Sequence, residues 1–251
     1  MSITETFDPD SHAIINPAQL VNKVPNFPEI TVAVINKKYI KLLLEDHHAT
    51  ELPAAESGFN LPIYYYTHKG KSFAFACLTP CGPCAAGDLE ELIAIGANKV
   101  LFFGCAGALD RSIAPGQIII PTEAYRDEGV SYHYIPNSDY ATVKTASTLA
   151  HIFDQIGVSY LMAKTWTTDA FYRETIGNMK KRKADGCAVV EQECASLMAV
   201  GQFREKEIYQ FLYAADCLDG EAWDSRILRC TPDETRRQML NIALDAAVLL
   251  S

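Results

Sequence analysis

Three short stretches carry side chains or backbone suited to holding a small polar ligand. Glu191-Gln192-Glu193 sets two carboxylates two residues apart, and Asp216 adds a third after the apolar run Phe211-Leu-Tyr-Ala-Ala215. Charged groups beside buried segments need partners or a ligand. The plainer reading of Glu191 and Glu193 is a pair of acids in a helix first turn, facing its positive end. For Asp216 it is a helix cap, although Leu218-Asp-Gly-Glu221 opens a helix poorly. Gly104-Cys105-Ala106-Gly107 lets backbone approach a ligand, or else makes the tight turn that any strand-to-helix unit needs.

A competing chemistry is that of thiols. Cys81-Gly-Pro-Cys84 has the spacing of a thioredoxin-type redox motif, in which a helix N-terminus lowers the pKa of the leading thiol. Pro80 stands where such motifs usually carry Trp, and the long chain beyond Ile120-Pro-Thr122 has no place in that fold. Cys81 and Cys84 therefore read as a candidate redox pair on another fold, or as two thiols without a role. Cys77 extends the spacing to that of a radical iron–sulfur site, but it falls inside an apparent strand. No second Cys or His pair has zinc-ligand spacing, so no metal is expected.

The elements that must position these residues follow from periodicity. Strands are expected at Thr31–Ile35, Val100–Phe103, Gln117–Ile120 (stopped by Pro121), Tyr160–Trp166, Cys187–Val190 and Ile208–Ala214. Ile63–Thr67 and Ser72–Leu78 flank His68-Lys-Gly-Lys71, a hairpin signature. Helices are expected over Lys38–Asp46, Cys84–Ile95, the stretch from Val143 to Ile156, Arg173–Ala184, and from after Val190 to about Phe203. Thr231-Pro-Asp-Glu234 reads as a capping box opening a last helix. Strands and helices alternate, which implies an α/β fold with a mixed, largely parallel sheet covered on both faces. In such sheets ligands sit beyond the carboxyl ends of strands, where Gly104–Gly107, Glu191–Glu193 and Asp216 all fall. Residues 1–29 read as an irregular N-terminal arm and residues 30–251 as one domain.

The chain has 251 residues with net charge −9, which disfavours nucleic-acid binding as a main role. No stretch is apolar enough for a membrane span, and the N-terminus lacks a signal-peptide pattern. The eight cysteines are read as thiols of a reducing cytoplasm.

At the strand-end residues the chain resembles the nucleoside phosphorylase family of purine nucleoside and uridine phosphorylases. The segments that carry the resemblance are Gly82-Pro83 before Leu89–Ala97, Phe103–Leu109, Gly116–Pro121, Arg126–Tyr134, Thr167–Tyr172, Val190–Cys194 and Ala215-Asp216. The Arg126 and Thr167 segments look most like a bacterial uridine-phosphorylase-like subgroup. The resemblance implies an αβα sandwich that splits the N-glycosidic bond of a nucleoside. It needs no cofactor and takes inorganic phosphate as co-substrate. It also implies a homo-oligomer, a dimer or a hexamer. By the same resemblance Glu193 holds the ribose hydroxyls with Glu191 and Gln192 beside the sugar, Phe171 stacks on the base, and Asp216 protonates the leaving group. Gly104, Cys105 and Gly107 mark the phosphate region.

In that region the chain departs from the family. Phe102 stands where the family has Arg, and Cys105 where it has Ser or Thr. Ile35-Asn-Lys-Lys-Tyr39 replaces a Gly-Asp-x-x-Arg stretch, and residues 46–60 hold no Arg. Lys37, Lys38, Arg111 or Arg126 are the candidate replacements. Hydrolysis by water, or nucleoside binding without catalysis, are the other readings the residues leave open.

Overall fold

Five buried residues in a row, Ile30–Val34, form β1, the pattern of a strand covered on both faces. The computed structural model describes residues 2–10, 12–47, 49–52 and 61–251. Helix α1 (Lys38–His47) and the short β2 (Thr50–Glu51) follow. Strands β3 (Ile63–His68) and β4 (Lys71–Cys77) make a hairpin. Its turn has positive φ at both Lys69 and Gly70, as a two-residue turn matched to strand twist requires. Then come α2 (Gly82–Ile95), β5 (Lys99–Ala108), β6 (Ile118–Asp127), β7 (Tyr140–Thr142) and α3 (Ala146–Gln155). The chain continues with β8 (Tyr160–Thr168), α4 (Ile176–Ala184), β9 (Cys187–Glu191), α5 (Cys194–Phe203), β10 (Glu207–Cys217) and α6 (Asp233–Leu250).

The strands form one mixed sheet in the order β10-β6-β8-β9-β5-β1-β4-β3-β2, with β7 beside β6. The longest ladders, β5 with β10 and β6 with β8, are parallel. Because β10 also pairs with β5, the path β5-β10-β6-β8-β9 closes into a ring. Small side chains fill it: Ala106, Ala108 and Ala214, with Ile113, Ile119, Val189 and Leu212. Helices α1, α3 and α6 pack together in one layer, and α2 and α5 pack against each other in a second. Under the first layer, Phe211 stacks on Phe103 at 5.2 Å, and Tyr39 and Phe153 meet this pair edge-on. Each such contact adds about 0.5–1.5 kcal/mol beyond burial.

Several expected boundaries move, each for a local reason. Strand β6 runs on through Pro121 to Asp127, because its register against β8 slips between Pro121 and Ala124 and so absorbs the missing N–H. Gly104–Gly107 is not a loop after a strand but the interior of β5. Strand β10 likewise extends through Cys217, with an irregularity between Ala214 and Asp216. Helix α4 starts at Ile176 rather than Arg173, since Thr175 caps it by accepting from the Asn178 N–H at 3.3 Å. The capping box expected for α6 is absent: Pro232 holds the cap position, and Thr231 Oγ1 donates to the Ile227 carbonyl at 2.9 Å instead.

Among its described residues, the 1–29 stretch contains two 3₁₀ turns, Ile3–Glu5 and Pro17–Gln19. It lies against the body of the fold, with Val24 N–H donating to Ile95 O at 2.8 Å and Thr6 Oγ1 to Tyr132 O at 3.3 Å. Residues 53–60 of the arginine-free segment 46–60 lie outside the described residues.

Candidate active site

Two helix N-termini meet at Glu193. It is the N-cap of α5, and its Oε1 accepts the backbone N–H of Cys81, the N-cap of α2, at 2.8 Å. The helices approach closely because Gly82 has no side chain: a Cβ there would lie 2.6 Å from Ser196 Oγ. Burial pushes the Glu193 carboxyl upward in pKa, and the N–H groups of Cys81 and Gln192 pull it back. A carboxylate has about four acceptor sites, so these two donors leave room for hydroxyls of a ligand.

Glu191 is placed differently from the role beside the sugar that the resemblance implies. Its Oε2 accepts the N–H groups of Glu193 (2.7 Å) and Cys194 (2.6 Å), and its Oε1 accepts Thr167 Oγ1 (2.5 Å) and Thr165 Oγ1 (3.3 Å). Thr167 Oγ1 also takes the Ala195 N–H at 3.0 Å. Glu191 is thus the side-chain cap of α5, the plainer of its two sequence readings, and its oxygens are spent within the protein. Burial and the Glu193 charge raise its pKa to about 7 against these donors. Gln192 lies beside the α2 cap, with Oε1 3.7 Å from Cys81 Sγ.

Asp216 sits opposite Gly107 in the β5–β10 ladder. Gly107 is required there: a Cβ would lie 2.6 Å from Leu218 Cδ1, 3.1 Å from Val190 Cγ1 and 3.2 Å from Asp216 Oδ1. Burial raises the Asp216 pKa, while Trp223 Nε1, which donates to Oδ2 at 2.7 Å, opposes the shift. Cys105 shares the pleat of Gly107, and Gly104 lies on the opposite one, so the three do not converge as a loop would allow. Burial pushes the Cys105 thiol up to about 11, with the charges of Asp216 and Glu193 adding to it. The two carboxylates therefore flank one stretch of β5.

Beyond Asp216 opens a pocket of about 520 Å³. Its walls include Phe171, Tyr172, Met179, Leu218 and Trp223. The resemblance put Phe171 against a base, and here it shares the pocket with Asp216. Glu191, Gln192 and Glu193 do not line it. Sequence reasoning missed three of its residues, Glu174, Trp223 and Arg229. Only the irregular Leu218–Glu221 stretch hinted that something other than a helix follows β10.

The candidate cations fare unequally. Arg126 is buried and committed: it donates to Ser131 Oγ and to the carbonyls of Ile135, Pro136 and Ser138. Arg111 Nε donates to the Asp219 carbonyl. Lys37 and Lys38 are exposed, and Phe102 is packed in the core. Arg236 of α6 was not foreseen. It is buried, pairs with Asp233 Oδ1 at 2.5 Å, and its Nε has no hydrogen-bond partner. Its charge acts on Tyr39 and Tyr213, whose hydroxyls meet at 3.3 Å and which both feel Cys105.

The thiol pair gains no activation from the helix terminus. Cys81 and Cys84 are exposed and free. The Cys81 thiol is raised, not lowered, by desolvation and by the carboxylate of Glu193. Cys77 is buried in β4, and among the described residues no group of three or more acidic, His or Cys side chains could hold a metal. Among them, too, no helix is long and apolar enough to cross a membrane.

The sequence is similar to known proteins. A family model described as "Phosphorylase superfamily" matches residues 29–242. A purine nucleoside phosphorylase of the DeoD type from Exiguobacterium sp. is 26% identical over 187 residues, 72% of this chain and 77% of the relative. A uridine phosphorylase from Thermococcus kodakarensis is 36% identical over 114 residues, 43% of this chain and 41% of the relative. With the family model spanning most of the fold, and the carboxylates held at its strand ends, the chain belongs to the nucleoside phosphorylase family.

Proposed function

We propose that this protein cleaves the N-glycosidic bond of a nucleoside with inorganic phosphate as acceptor. The observation that carries the reading is Asp216, a buried carboxyl of raised pKa that lines an aromatic pocket, with Glu193 flanking the same strand. In this reading the base lies against Phe171. Asp216 gives its proton to the base as the C1′–N bond breaks and the bonding pair leaves with the base. Such a positioned acid contributes roughly 10²–10⁴ in rate. The ribose becomes cationic, and Glu193, accepting from its hydroxyls, stabilises that charge. A phosphate oxygen then bonds to C1′. The phosphate needs a countercharge, which we assign to Arg236, since the arginine positions of the family hold Phe102 and Tyr39 here. As a planar donor fork Arg236 suits an oxyanion better than an exposed lysine would.

The test is release of free base from a panel of nucleosides, followed by chromatography with and without phosphate. Release that requires phosphate, with a ribose phosphate as second product, is the expected result. Release at the same rate without phosphate would replace phosphate by water, and no release from any nucleoside would remove the cleavage reading.

A further inference from the structure

The two exposed thiols at the start of α2 have no part in the reaction above, yet Cys81 binds Glu193 through its backbone. Cys81 is the N-cap of α2, and its carbonyl accepts the Ala85 N–H at 2.9 Å. That bond closes the first helical turn and fixes Cys84 at the third helical position. One turn of helix brings the Cα atoms of such a pair to about 5–6 Å. This lies inside the roughly 4.4–6.8 Å that a disulfide spans. The Cys81 thiol also feels the charge of Cys84.

The two torsions of Cys81 do different things. Its ψ of 145° is an ordinary cap value, close to the 157° of Thr175 at the start of α4. This torsion orients the side chain relative to the helix that follows. Thr175 thereby reaches its third helical residue, accepting the Asn178 N–H, and the same geometry directs Cys81 toward Cys84. The φ of 77° is a value that side-chain-bearing residues rarely adopt. It turns the N–H instead, and aims it at Glu193 Oε1, 2.8 Å away. The Cys81 thiol in turn lies 3.7 Å from Gln192 Oε1, to which it donates. Two contacts to Gln192-Glu193 thus hold the cap in a strained conformation, and one of them is made by the sulfur.

We propose that Cys81 and Cys84 are a modification site for small-molecule disulfides, closing to a reversible Cys81–Cys84 disulfide that releases the Cys81 N–H from Glu193. One protein thiolate attacks a sulfur of the small disulfide. The small S–S bond breaks, one small thiolate leaves and takes up a proton, and a mixed disulfide remains. The second protein thiol loses its proton and attacks the protein sulfur of that mixed disulfide, and a second small thiol departs. The two cysteines lose two electrons and two protons, and the small disulfide gains them. The new bond takes the sulfur away from Gln192. With that contact gone, the Cys81 φ relaxes to the negative range, and its N–H swings off Glu193. Desolvation and the Glu193 charge disfavour the Cys81 thiolate. A stabilised thiolate is what makes a redox pair give its disulfide away. Lacking it, this pair keeps its disulfide until a reductant removes it, and so acts as a switch rather than as an oxidoreductase. Only the consequence for sugar binding rests on the cleavage reading.

The experiment incubates the full chain with oxidised or reduced glutathione, alkylates it in denaturant and digests it with trypsin. Peptide 72–99 contains Cys77, Cys81 and Cys84. It is expected to take three alkyl groups from the reduced protein and one, on Cys77, from the oxidised protein. Hydrogen exchange on the folded protein is expected to be more than about tenfold faster at the Cys81 amide after oxidation, the scale of one hydrogen bond to a charged group. Dithiothreitol is expected to reverse both changes. Cys81→Ser keeps the N–H and a hydroxyl for Gln192, so its exchange is expected to be the same with either form of glutathione. Three alkyl groups after oxidation, or a bond that takes in Cys77, would overturn the proposal. So would a Cys81–Cys84 disulfide that leaves the Cys81 amide unchanged. Neither readout uses a substrate, so a protein that cleaves no nucleoside would lose the cleavage reading and leave the switch standing. Where base is released, the oxidised protein is expected to show a nucleoside KM raised roughly two- to tenfold, the scale of one hydrogen bond.

Discussion

At the residue scale, the same burial that makes the acid useful also sets its pH range. In the proposed reaction Asp216 acts only while protonated, and its pKa is raised by desolvation. Its contribution to kcat/KM is therefore full below that raised pKa and lost as pH rises through it. Glu193 must be ionised to accept from the sugar, and its pKa is also raised by burial. Its contribution is lost as pH falls through that value. The expected profile is a bell with one limb from each carboxyl. Asp216→Asn should lower nucleoside cleavage by roughly 10²–10⁴ and remove the alkaline limb. It should spare a ribosyl substrate whose leaving group, such as p-nitrophenolate, departs without a proton. Steady-state rates on both substrates across pH check this, and an equal loss on both would mean that Asp216 does something other than protonate. Glu191 belongs at this scale as a contrast. Residue type and spacing do not separate it from Glu193, and its four hydrogen bonds show a carboxylate used to cap α5.

At the element scale, β5 runs between the two carboxylates of the candidate site, and its two glycines are not equivalent. A Cβ at Gly107 would enter Leu218, Val190 and Asp216 at 2.6–3.2 Å, whereas one at Gly104 would meet only the Phe102 ring, at 3.8 Å and beyond. Gly107→Ala should cost about 1–3 kcal/mol through overpacking and should lower activity by displacing Asp216. Gly104→Ala should be close to neutral on both counts. Thermal melts and base-release rates on the two variants decide this, and equal effects would contradict the strand geometry. The contrast also marks how far the sequence could be read. Hydrophobic periodicity located the strands and helices, because burial repeats every second or every third to fourth residue. Glycine spacing suggested a loop at 104–107, because glycine composition alone does not distinguish a loop from a strand that another backbone approaches closely. Pro121 looked like a strand end, because a ladder slip that accommodates proline leaves no local mark. The carboxylates were visible from their types and spacing. Glu174, Trp223 and Arg236 were not, since each reaches its place through tertiary packing rather than through a local pattern.

At the scale of the whole molecule, the proposed reaction requires a chain of net charge −9 to take up phosphate against its own field. The site adds to the difficulty, with Glu174, Asp216 and Glu193 near the reacting centre and Arg236 as the buried cation assigned to the anion. Two electrostatic contributions then compete. The long-range field of the acidic surface repels phosphate and is screened by salt: the Debye length falls from about 30 Å at 0.01 M to about 8 Å at 0.15 M. The short-range attraction to a buried guanidinium is screened far less, because little solvent lies between the charges. Raising sodium chloride over that range should therefore lower the KM for phosphate while leaving the KM for a neutral nucleoside nearly unchanged. Sulfate must be avoided, since it would compete at the anion site. A phosphate KM that rises with salt would show that exposed cations, such as Lys37 and Lys38, gather the anion instead. That result would move the phosphate site out from the Tyr39–Tyr213 pair toward the surface, and it would do so without disturbing the assignment of Asp216 and Glu193.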